Sequence, residues 1–223
     1  MGGWLLVLTV SLGGFAPPEA SADSISWGTK LAGETFYQSD GSVFDNTFQF
    51  QLGVFEEISP GSPFIPTEGN ISLWNSHWRV FNEATETNGA YNVGANAVLL
   101  TEPLDSSGTS ALGGSFVFFD EQPYVWAFNN KVGDATSEWA LYTDASWVFP
   151  SSSADTNPVT HSFFLADSGT VAVFGGINDT SSDTGNRSSF PENFSIQTHS
   201  VPEPSVVLFL VVATGALSVA RRR

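Results

Sequence analysis

The clearest pattern in the chain is the alternation of Phe48, Phe50, Leu52 and Val54 with Thr47, Gln49, Gln51 and Gly53. A period of two predicts a strand with one face on a core and the other in water. Runs rich in aromatic and β-branched residues predict further strands at 115–119, 124–128, 138–143, 147–149, 161–165, 171–174 and 194–198. Several are apolar on both faces, as in Phe116-Val117-Phe118-Phe119, which suggests central strands covered on both sides. Polar stretches rich in Ser, Thr, Asn, Asp and Gly, at 105–114, 151–158 and 178–189, separate the runs as turns. Short strands divided by polar turns predict an all-β fold, an antiparallel β-sandwich or jelly roll. One segment has a different period: Leu73, Trp74, His77, Trp78 and Phe81 fall at helical spacing behind Asn70, a candidate cap. This predicts one short amphipathic helix packed across an open edge or end of the sandwich. Its indoles allow two readings, an apolar face turned inward or a sugar-stacking platform of Trp74 and Trp78.

The ends of the chain follow a different pattern. Residues 4–10 are apolar, Pro17-Pro18 interrupt the run, and Ala20-Ser21-Ala22 offers the small-x-small site of a signal peptidase. A signal peptide over 1–22 and a mature start at Asp23 are expected. No Lys or Arg precedes the apolar run, and an upstream start would account for that; a buried N-terminal strand is the competing reading. At the other end, Val201-Pro202-Glu203-Pro204-Ser205 leads into an uncharged stretch over 206–220 and then Arg221-Arg222-Arg223. Fifteen helical residues cover about 22 Å, less than the roughly 30 Å hydrocarbon core, so the span relies on snorkelling arginines or a thinned bilayer. Arginines favour the cytoplasmic side, which leaves the proline-flanked glutamate on the opposite face. The prolines keep that motif extended and unable to continue the helix.

This tripartite tail resembles the PEP-CTERM sorting signal of bacterial surface proteins, which a membrane protease, exosortase, reads. The resemblance covers 201–223 and implies that Pro202, Glu203 and Pro204 are presented to exosortase and that Arg221, Arg222 and Arg223 form the cytoplasmic stop. It also implies a precursor tethered to the inner membrane, then delivery to the cell surface, outer envelope or extracellular matrix, often alongside exopolysaccharide. It implies no reaction. An ordinary single-pass anchor is the rival reading, and the closing arginines argue against a GPI-type signal.

About 180 residues lie between the two signals, enough for one domain over 23–200. Residues 23–204 hold four basic side chains (Lys30, Arg79, Lys131, Arg187) against 22 acidic ones, a net charge of −18. Such a surface repels nucleic acid and anionic lipid, so neither is an expected partner. With no cysteine, an exported domain has to be held by its core.

Catalytic motifs are missing. His77, His161 and His199 form no HExxH pattern, and no G-x-S-x-G elbow exists. Glu56-Glu57 and Asp120-Glu121 are adjacent acidic pairs; neighbours on a strand point to opposite faces, so neither pair alone supplies a facing acid and nucleophile. Asp179, Asp183 and Asn186 around Gly185 offer oxygen ligands but do not match an EF-hand. Sequons occur at Asn70, Asn178, Asn186 and Asn193, and the last three predict an exposed stretch over 178–193. No catalytic residue, metal or cofactor is predicted. The expected function is a non-catalytic surface or matrix protein; the alternative is a carbohydrate-binding module or weak glycoside hydrolase.

Overall fold

The structure, a computed structural model, describes residues 23–29, 34–151, 159–177 and 194–202. The fold is all-β. The strands are β1 (Asp23–Gly28), β2 (Thr35–Tyr37), β3 (Gln49–Phe55), β4 (Trp78–Thr85), β5 (Tyr91–Asn92), β6 (Ala97–Leu104), β7 (Tyr124–Phe128) and β8 (Glu138–Thr143). They continue with β9 (Thr160–Phe164), β10 (Val171–Phe174), β11 (Gly176–Ile177), β12 (Ser195–Gln197) and β13 (His199–Ser200). One sheet has the order β5-β6-β1-β9, a second β10-β8-β7-β3-β4 with β13 also on β8, and a third β11-β12-β2. Pairing is antiparallel except for β1 with β9 and β12 with β2.

The first two sheets share a core. Phe50, Leu52 and Val54 of β3, with Val125, Ala127, Ala140 and Tyr142 of β7 and β8, pack in one cluster with Ile25, Trp27, Val98, Leu104 and Phe163 of the first sheet. This is the face that the alternation of β3 predicts. The opposite face is not in water. Gln51, Gly53 and Phe55 are buried there, and Phe55 joins Trp78, Trp126, Phe128, Trp139 and Leu141 in a second cluster under Phe64, Ile71 and Trp74. The second sheet is therefore covered on both sides. A bulge in β4 makes this possible: register with β3 shifts between Leu52 and Gly53, so Val80 pairs with Gly53 and Asn82 with Leu52, leaving Phe81 as the extra residue.

The helix predicted from Asn70 through Phe81 is shorter. A 3-10 turn (Glu68–Leu73) runs into a four-residue helix, α1 (Trp74–His77), and Trp78 is already extended at φ −71°, ψ 129°. Pairing of Trp78 and Arg79 with Phe55 and Val54 claims these residues for the sheet, and a helix this short has no stability of its own to resist. Asn70 is no N-cap. Its Oδ1 accepts from the Thr67 backbone N–H at 2.8 Å and from Trp74 Nε1–H at 2.9 Å. The segment lies on the outer face of the second sheet rather than over an open edge.

The expected strands at 115–119 and 147–149 are loops. Turn bonds use their backbone groups: Phe116 N–H donates to Gly113, Phe118 N–H to Gly108, Trp147 N–H to Asp144 and Phe149 N–H to Glu121. Their aromatic character reflects burial instead, since Phe118, Trp147 and Phe149 all lie in the core.

Candidate functional site

Glu56 and Glu57 of one acidic pair and Glu121 of the other line an open cleft of about 680 Å³, together with His77, Phe116 and Val117 among others. Its first wall follows β3. There the chain turns back at Ile58, whose N–H donates to the Ser62 carbonyl at 2.9 Å, and Glu57 Oε2 accepts from the Gly61 N–H at 2.8 Å. Glu56 is held in an ion pair with Arg79. His77 closes α1 with its ring stacked on Phe64 at 4.3 Å. Its Nδ1 lies 3.1 Å from the Glu56 carbonyl oxygen, which can only accept, so Nδ1 carries the proton. The second wall is the 115–121 loop, where Asp120 adopts φ 61° and Glu121 N–H donates to the Phe118 carbonyl at 3.2 Å.

Burial raises the Glu121 carboxyl above its ordinary range, and the fields of Glu57 and Asp120 push the same way. Two carboxyls on separate loops of one cleft, the Glu121 carboxyl raised above its ordinary range, are groups of the kind a glycosidic cleft uses. The fold brings Glu57 of one pair and Glu121 of the other to the same cleft. Among the described residues no group of His, Asp and Glu is placed to hold a metal ion.

Trp74 and Trp78 present no platform. Trp74 is 0% and Trp78 5% exposed, and they pack edge-to-face on Trp126 with ring centroids 5.8 and 5.4 Å away. Sugar stacking needs an open ring face, and the outer cluster uses both. Their role is the inward-turned one.

Of Val201-Pro202-Glu203-Pro204-Ser205, Val201 and Pro202 are described. Val201 is buried in the outer cluster and its N–H donates to the Ser137 carbonyl at 2.8 Å, while Pro202 is exposed. Glu138 secures this stem, because its carboxylate accepts from Thr198 Oγ1 at 2.7 Å, Ser200 Oγ at 3.0 Å and the Ser39 N–H at 3.0 Å. Glu203, Pro204, Arg221, Arg222, Arg223, Ala20 and Ala22 lie outside the described residues, as do Asp179, Asp183, Gly185 and Asn186. Among the described residues no helix is long and apolar enough to cross a membrane. His161 Nε2 lies 4.0 Å from Asp23 Oδ2, and His199 packs edge-on against Phe174 at 5.6 Å, so neither lines the cleft.

The sequence reading passed over Lys131. Among the described residues it is the cation set against the rings of the outer aromatic cluster, and a single lysine between two aromatic strands of an acidic chain was the available signal. The chain matches no family model, no curated protein and no solved structure.

Proposed function

We propose that the chain is an exported, non-catalytic protein of the cell surface or extracellular matrix, sorted by exosortase through Pro202-Glu203-Pro204 and associated with exopolysaccharide. In this reading 1–22 is a signal peptide removed after Ala22, the body is a sandwich or jelly-roll domain, and 206–220 is a membrane helix held by Arg221, Arg222 and Arg223. The observation that carries it is the order of motif, apolar run and basic cluster over 201–223. Pro202, exposed directly after the buried Val201, supports it. Changing Pro202, Glu203 and Pro204 together to alanine should leave an uncleaved, membrane-bound precursor, read as intact mass in the membrane fraction. Release of this variant at the mature mass of the parent would defeat the proposal.

The Glu57–Glu121 cleft favours a second reading, in which the displayed body binds or slowly hydrolyses a polysaccharide. The purified protein should then be retained on at least one glycan polymer, and Glu121→Gln should weaken retention or abolish release of reducing ends. No retention and no reducing ends on any polymer would remove this reading while leaving the sorting claim intact.

A further inference from the structure

The chain has two lysines, Lys30 and Lys131. Lys131 follows β7, and contacts on both sides fix its backbone. Asn75 Nδ2–H donates to the Lys131 carbonyl at 2.5 Å, Val132 N–H to Asn130 Oδ1 at 2.9 Å and Trp139 Nε1–H to the Asn130 carbonyl at 2.6 Å. The side chain folds back over the outer face of the second sheet. Its Nζ lies 4.3 Å from the ring centroid of Trp126, 4.7 Å from Phe128 and 5.6 Å from Trp78. One polar partner serves it there: Nζ donates to Gln51 Oε1 at 2.5 Å, an oxygen that also takes Trp78 Nε1–H at 2.9 Å.

The ion pairs among the described residues join Arg79 to Glu56 and His161 to Asp23, and Lys131 takes part in neither. Glu83 on β4 is the charged group whose field reaches Nζ, but its Oε2 already accepts from Gln51 Nε2–H at 2.5 Å. Gln51 and Asn75, the polar side chains of β3 and α1 that contact Lys131, are neutral. An ammonium carries three N–H donors, and this niche gives it one acceptor and three carbon surfaces in place of water. The unprotonated amine loses less on entering. Burial accordingly brings Lys131 down to about 7, against the Glu83 field, and the ring faces act on the side of Glu83 by favouring the cation. Lys131 as a whole residue is half-buried rather than fully enclosed.

We infer that Lys131 is a covalent modification site for aldehydes, a desolvated amine set in an aromatic-walled niche at the surface of the second sheet. The Nζ lone pair attacks the carbonyl carbon, and the new C–N bond forms as the carbonyl oxygen takes a proton to give a carbinolamine. That intermediate expels its hydroxyl together with the remaining N–H proton as water and leaves an imine; nothing is oxidised or reduced. The chemistry is open to any small aldehyde, the open end of a reducing sugar included.

The test incubates the mature protein with benzaldehyde in one arm and glucose in the other, each with cyanoborohydride to trap the imine, and maps adducts on Lys131 and Lys30 by peptide mass. At neutral pH Lys131 should be labelled at least about tenfold faster than Lys30, because an ordinary lysine keeps its proton until about pH 10.4. The Lys131 rate should level off above neutrality while the Lys30 rate keeps rising, and denaturant should erase the difference. Lys131→Arg should lose the fast adduct. Labelling with benzaldehyde, glucose or both supports the site and identifies which aldehyde it takes. Equal rates at the two lysines, or parallel rises of both up to high pH, would overturn it.

Discussion

Trp74→Ala is expected to destabilise the protein by about 3–5 kcal/mol, the range for removing a fully buried large aromatic side chain. Trp74 is the centre of the outer layer. It packs edge-to-face on Trp126 at 5.8 Å and Phe174 at 6.1 Å, lies 6.1 Å from Trp139, and meets Phe55 at 6.0 Å. It also donates its indole N–H to Asn70, so truncation leaves the Asn70 oxygen one donor short. The four residues of α1 cannot hold a helical turn without that anchor. Water would then reach the outer faces of Trp126, Trp139 and Leu141. Urea unfolding followed by tryptophan fluorescence measures the loss. A change below about 1 kcal/mol would mean that the outer layer is not part of the cooperative unit.

Gly28→Ala should have an effect at least as large, and the variant is expected to fold poorly or not at all. Gly28 ends β1 at φ 118°, and a Cβ built there would stand 2.1 Å from the Val98 carbonyl oxygen and 2.7 Å from its carbon. Neither atom can yield, because the Val98 carbonyl accepts from the Thr29 N–H at 2.5 Å and the Gly28 carbonyl accepts from the Leu165 N–H at 2.9 Å. Gly28 is thus where β6, β1 and the end of β9 are joined. Gly89→Ala is the control. Its φ of 74° carries the same kind of backbone penalty with nothing within 4 Å of the added carbon, so it should cost about 1–2 kcal/mol. Similar melting temperatures for the two variants would show that conformational strain, and not the clash with Val98, sets the cost.

Side-chain patterning made the interior strands of the second sheet legible. The alternation of β3 and the runs at 124–128 and 138–143 correspond to β3, β7 and β8, because aromatic and branched residues there have to fill both faces of a central sheet. β1 was hidden, since it mixes Ser with Ile and Trp. β6 carries Pro103, which argues against a strand; it is tolerated where β6 has run past the two residues of β5. The stripe from Leu73 to Phe81 carried two periods at once, one turn of helix and then a bulged strand, and only long-range pairing with β3 decides where one gives way to the other. The cleft was half legible. Both acidic pairs stood out as residues, but that Glu121 shares a cleft with Glu56 and Glu57 depends on a loop from 115 to 121 crossing to the end of β3, and no local pattern encodes that crossing. Lys131 escaped for the same reason, because the three rings around it come from β4 and β7 and its hydrogen-bond acceptor from β3.

The stem also has a mechanical side. Any pull on the C-terminal tail arrives at β13, whose two residues pair with Trp139 and Glu138 on β8, and at the Val201–Ser137 bond just beyond them. So short an attachment yields by peeling one rung at a time, with the Glu138 carboxylate as the knot that holds Thr198, Ser200 and Ser39 together. A molecule hung by this tail would give way first at the hem, lengthening its tether while the aromatic layers behind it stay intact.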